Sequence, residues 1–143
     1  MNAINEHRGA TTAGRVAAVL LLVVVVFQAL LAMGAPWGTA AYGGANTGVL
    51  PDPLRASSAV TGVLYLALAV VAGTSWVSVR LRARFMYGTS ALMVVAAVVN
   101  IASPSFIERI IWTPVTIGLV LTLWCAARLD SPTHTEHAAR GSQ

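Results

Sequence analysis

The sequence predicts an all-α membrane protein: four transmembrane helices in an antiparallel bundle, with an ordered outer loop between helices 1 and 2. Three observations predict it. Hydrophobic residues make up 57% of the 143-residue chain and charged residues only 10%, against roughly 25% charged in soluble domains. Four charge-free stretches, 16–34, 56–79, 85–107 and 110–127, each come near the ~20 residues that a helix needs to cross a ~30 Å hydrocarbon core. Third, the nine arginines (there is no lysine) punctuate those stretches unequally. At this length the chain is one domain at most. Its predicted parts are a cytoplasmic N-terminal segment (1–15), the four-helix domain (16–127, with an outer cap at 35–55) and a disordered cytoplasmic tail (128–143).

The first span holds five Leu, six Val and Phe27, which together favour insertion by roughly 4–7 kcal/mol. Gln28 does not reverse that. Arg8 and Arg15 ahead of an apolar run ending in "AMG" also resemble a signal peptide, but the run exceeds the roughly 7–15 residues of such signals. A retained helix is the expectation. In lipid an open strand would leave backbone groups unpaired, so helices are forced.

Orientation follows from the arginines. Arg8, Arg15, Arg80, Arg82, Arg84, Arg128 and Arg140 fall on one side, and Arg55 and Arg109 on the other. The side with seven is cytoplasmic and carries both termini. Trp37, Tyr42, Phe106 and Trp112 then form an outer aromatic belt, and Trp76, Phe85, Tyr87 and Trp124 an inner one. The "RLRAR" segment reads as a short turn, making spans two and three antiparallel neighbours. Small residues at Ala69 and Gly73, and at Gly88 and Ala96, suit close helix seams within the monomer or between copies.

The stretch from Ala35 to Pro51 is too long for an ordinary structureless loop, and too apolar for disorder. It reads as a packed cap, bent at Gly43-Gly44 and anchored by Trp37 and Tyr42. Asp52-Pro53 reads as the start of helix 2, with Asp as the cap and Pro at the first helical position. Ser105 and Glu108 read as a capping box for helix 4. Arg55 and Arg109 lie in first helical turns, where the dipole disfavours a cation. They snorkel to lipid phosphates, pair with Asp52 and Glu108 across the hairpins, or bind an anion; the sequence leaves these open.

Two sets of candidate site residues result. Trp37, Tyr42, Arg55, Glu108, Arg109 and Trp112 make an outer-face site for a partner or ligand. Gln28, Thr61, Tyr65 and Asn100 make an intramembrane polar cluster, which together with Ser57, Thr113 and Thr116 is either interhelical glue or the lining of an outward-facing pocket. Pro114 should kink the last helix and widen the mouth of such a pocket.

Much chemistry is absent. No Asp, Glu, Lys or His lies in the middle of a span to relay protons. There is no phosphate loop, HExxH helix or GxSxG elbow. Cys125 is the only cysteine, so no thiol pair or Cys-rich zinc site forms, and it reads as a small buried hydrophobe. His134 and His137 beside Asp130 and Glu136 suggest a metal site only weakly against a solvated tail. The arginines do not line an aromatic-bearing face of the kind nucleic acid needs. No catalytic residue, metal ligand or cofactor is assigned.

The set "GAPWG…YGG…GVLP…LR..S" with "SPS..ER.IW.PV", spanning residues 34–115, resembles a family of small uncharacterised four-helix integral membrane proteins of bacteria. The resemblance implies a multi-pass protein of the bacterial inner membrane and brings no activity with it. The expected function is a non-catalytic accessory, assembly or interaction subunit. The alternative is a small transporter, or a protein binding a lipid or other hydrophobic ligand in the outward-facing pocket. A membrane enzyme would have only Glu108 and Arg109 to work with. Expected partners are membrane lipid and either a membrane-protein partner or a second copy of the chain, and not nucleic acid.

Overall fold

A computed structural model of the chain describes residues 3–130. Their architecture is all-α, with four long helices: α1 (Ala3–Ala32), α2 (Asp52–Gly73), α3 (Val79–Ala102) and α4 (Phe106–Asp130). Two short 3-10 turns, Gly38–Ala40 and Tyr42–Gly44, shape the cap between α1 and α2. Each helix contains a segment long and apolar enough to cross a membrane: Thr12–Ala32, Asp52–Gly73, Arg80–Ala102 and Phe106–Leu129. α1 runs back to Ala3, so the helix extends well before residue 16. The histidines expected in the tail lie outside the described residues.

The helices pack in the order α2–α1–α4–α3. α1 lies against both α2 and α4, α3 lies against α4, and α2 and α3 barely touch. This corrects the expectation that spans two and three are neighbours. "RLRAR" is not the turn: Arg80, Arg82 and Arg84 fall in the opening turns of α3, and the connection is 74–78. A short connection brings two helix ends together but does not press their faces together.

Small residues decide which pairs close up. A Cβ on Gly14 would collide with the Ala72 carbonyl, and one on Gly73 would come within 3.0 Å of the Ala18 Cβ. Glycine therefore lets α1 and α2 approach backbone to backbone. Ala17, Leu21, Leu119, Leu123 and Ala126 are fully or almost fully buried between α1 and α4. Met86 and Met93 fix α3 to that core, and Ser90 Oγ donates to the Val120 carbonyl at 3.1 Å. Gly88 is different: a Cβ there would meet nothing within 4 Å. Its place is an open groove, not a seam within the monomer.

Pro114 sits inside α4 without interrupting it. Cys125 is exposed on α4 rather than buried as expected. The outward surface is as apolar as the core: Val19, Val26, Leu64, Val98 and Leu121 are each about three-fifths exposed. A contiguous apolar exterior of this kind is foreign to a protein surrounded by water and natural to one surrounded by lipid.

Candidate functional site

The cap is held down by polar contacts from two helices. Tyr42 Oη donates to the Leu54 carbonyl (3.2 Å) and is hydrogen-bonded to Ser58 Oγ (3.0 Å), tying the cap to α2. Trp112 Nε1 donates to the Ala40 carbonyl at 2.8 Å, tying it to α4. Glu108 Oε2 accepts from the Gly43 N–H at 3.0 Å and from the Ser103 hydroxyl. Ser105 Oγ donates to the Thr39 carbonyl at 2.6 Å and accepts the Glu108 N–H at 3.2 Å. Beneath, Leu31, Ala41 and Leu50 form a small apolar cluster with Phe27 and Leu54.

The local conformations that permit this are unusual. Tyr42 (φ 52°) and both glycines after it (φ 74° and 71°) lie in the left-handed region. Glycine adopts it freely, whereas a tyrosine is strained there. A Cβ on Gly44 would also lie 2.7 Å from the Ser105 Cβ. The strain at Tyr42 is offset by its two hydrogen-bonding partners on α2.

Two sequence expectations change at the helix starts. Asp52 does not cap α2: Pro51 occupies the capping position, Asp52 is the first helical residue and Pro53 follows it. Only half of the Ser105–Glu108 capping box forms, because the Glu108 carboxylate turns to the cap and the Ser105 N–H donates to Ser103 Oγ instead (3.2 Å). Arg55 does not pair across the hairpins. Its Nη1 meets Asp52 Oδ1 at 3.2 Å on the same helix, and its Nε donates to the Ala32 carbonyl at 3.1 Å. The cation disfavoured at the start of α2 thus satisfies the end of α1, where the dipole favours it. Arg109 lies 6.0 Å from the centre of the Phe106 ring.

Below the cap, all four helices surround a cavity of about 650 Å³. Gln28 reaches its wall from α1, Thr61 and Tyr65 from α2, and Asn100 from α3. The entire predicted polar cluster is therefore brought together. Tyr42, Glu108 and Trp112 from the predicted outer-face set line the same cavity, while Trp37, Arg55 and Arg109 do not. Trp37 stacks on Phe27 (6.3 Å between centres, 9° between planes), and Phe27 also packs on Trp112 at 4.5 Å. Trp112 is accordingly a wall residue of the cavity.

Of the other polar residues in the spans, Ser57 and Thr116 line the cavity. Thr116 returns its hydroxyl to the Trp112 and Thr113 carbonyls. Gln28 Oε1 and Thr113 Oγ1 are buried with no hydrogen-bond partner. Sequence reading missed Ser58 and Ser103. Both are buried hydroxyls, and in sequence nothing separates them from the polar residues that commonly serve as glue.

A second cavity of about 350 Å³ lies between Leu68 on α2 and Leu81, Arg84, Phe85, Gly88, Thr89 and Leu92 on α3. On α2, Leu68 falls about one turn beyond Tyr65 of the first cavity, and on α3 the lining runs from Leu92, next to Met93 of the first, back to Leu81. The two cavities thus follow one another along the unclosed α2–α3 side of the bundle.

Chemically, the main site is a container. Glu108 is the one ionisable carboxylate in its wall, and it is engaged by Gly43 and Ser103. Among the described residues, no group of three or more His, Cys, Asp and Glu gathers anywhere to hold a metal. Amides, hydroxyls and aromatic rings are the other polarisable groups in its wall. In comparisons with known proteins, no family model, curated protein or solved structure matches the chain.

Proposed function

We propose that this chain is a non-catalytic, multi-pass protein of the bacterial inner membrane that binds a small hydrophobic or amphipathic molecule beneath its outer cap. Both termini are cytoplasmic and the cap faces outward. The observation that carries the reading is the cavity of about 650 Å³ into which α1, α2 and α3 each bring neutral hydrogen-bonding side chains. Ligand sites of roughly 300–1,000 Å³ with apolar walls and a few convergent polar groups are the common pattern. Interhelical glue explains the cluster less well, since Gln28 Oε1 is buried without a partner. Of the two sequence readings, the geometry favours ligand binding over the accessory subunit.

Native mass spectrometry of the full-length chain, gently extracted from its own membrane, tests this. A bound small molecule is expected on the native protein and not on Ala96→Phe, which places a ring in the cavity wall. An undecorated native chain, or a stoichiometric protein partner retained equally by Ala96→Phe, would overturn the ligand reading. The latter outcome would restore the accessory subunit.

A further inference from the structure

We infer that the ligand is an uncharged lipid with a hydroxyl headgroup and a single long chain, which reaches the cavity sideways between α2 and α3. This rests on the reading of the cavity as a ligand site, and it is argued from three independent features.

The first is charge. Among the described residues no cation lines the main cavity; Arg55 is held by Ala32 and Asp52, Arg109 lies by Phe106, and Arg84 belongs to the second cavity. An anionic headgroup would be stripped of water there with nothing to balance it. The one carboxylate, Glu108, is engaged by two donors, so a cationic headgroup would have to take it from the cap.

The second is hydrogen-bonding capacity. Gln28 Oε1 needs a donor, while Asn100 and Tyr65 stand in the same wall with N–H and O–H groups. A neutral hydroxyl can donate to an amide oxygen and accept from an amide N–H or a phenol, so it matches the kinds of group this wall carries.

The third is shape. α2 and α3 leave the side of the bundle unclosed, and the second cavity continues the first along that gap. From Asn100 to Gly88 along α3 the path is about 18 Å at the helical rise. Leu68, Leu81, Phe85 and Leu92 make up most of the lining of its far part, with Arg84 and Thr89 the polar residues among them, and this apolar majority suits an acyl chain. Because the cap is tied down at Tyr42, Glu108 and Trp112, the membrane side is the open approach.

The test is equilibrium binding of radiolabelled monooleoylglycerol to the purified full-length chain in maltoside micelles, with competition by oleate, oleylamine, oleoyl-lysophosphatidylcholine and monooctanoylglycerol. Saturable binding is expected, with each charged competitor about tenfold or more weaker. Gln28→Leu should weaken binding about tenfold, as loss of one good hydrogen bond does. It should leave thermal stability equal or higher, because it removes an unsatisfied buried oxygen; a merely structural Gln28 would lower it. Gly88→Leu fills the groove where a Cβ meets nothing, so folding is expected to survive. It should weaken the oleoyl probe and leave the octanoyl probe unchanged.

A charged competitor binding as tightly as the glyceride would overturn the headgroup assignment and leave the cavity reading standing. An unchanged oleoyl affinity in Gly88→Leu would overturn the chain path. Saturable binding of none of these probes would overturn this inference, and if the native protein also carries no bound molecule the cavity reading falls with it.

Discussion

Glu108 shows how a residue with an ordinary role in sequence acquires a different one in space. Three residues after Ser105, it should return its carboxylate to the start of its own helix. Instead it reaches the Gly43 N–H, 65 residues away, and the Ser103 hydroxyl. Hydrogen bonds to a charged acceptor are each worth about 1.5–3 kcal/mol. Glu108→Ala should therefore lower the stability of the purified protein by about 2–3 kcal/mol, with Glu108→Gln intermediate, read by thermal or denaturant unfolding. Arg109→Ala, which removes an exposed side chain beside a ring, should stay within about 0.5 kcal/mol. Equal effects at the two positions would mean that the carboxylate does not hold the cap. Arg55 makes the same point about context. Its position in the first turn of α2 is unfavourable on that helix alone and becomes favourable once the end of α1 lies beside it.

At the scale of elements, the packing partners are set by where small residues sit. Gly62 approaches Gln28, with its Cβ position 3.4 Å from the Gln28 Cβ, and Gly73 approaches Ala18; these contacts zip α2 to α1. On α3, the corresponding small residues Gly88 and Ala96 border the two cavities instead. The pair Gln28→Cys with Gly62→Cys is close to the ~3.8 Å Cβ separation of a disulfide. In a Cys125→Ser background it should cross-link readily on mild oxidation. Tyr65→Cys with Ala96→Cys, across the α2–α3 gap, should not. Efficient cross-linking of the second pair, seen on non-reducing gels, would mean that the gap is closed and would remove the sideways path. The four spans themselves were legible in the sequence, and so was the packed cap. Helix starts were off by a residue at Asp52 because two prolines flank it, and either side can supply the capping position.

For the whole molecule, the distribution of seven arginines against two predicts a cap outside and a 74–78 connection inside. In the Cys125→Ser background, Ala45→Cys in the cap should react with a membrane-impermeant maleimide in intact cells. Ser75→Cys should react only after permeabilisation; both positions are exposed. The reverse pattern would invert the orientation and put the cavity at the cytoplasmic side. Composition and charge-free length determined by themselves that the chain is helical, crosses a membrane and does so four times, because hydrocarbon forces each apolar run of that length to satisfy its backbone internally. Sequence also picked out Gln28, Thr61, Tyr65 and Asn100, since polar side chains stand out within apolar runs. Only the tertiary structure decided that α2 and α3 stay apart, that Tyr42, Glu108 and Trp112 share a wall with those four, and that Arg55 and Arg109 do not. The reason is the solvent. In water, an apolar stripe points to the core and so tells one helix where its neighbours lie; in lipid the outward face is as apolar as the inward one, and helix partners are chosen by the fit of small residues that sequence periodicity does not reveal.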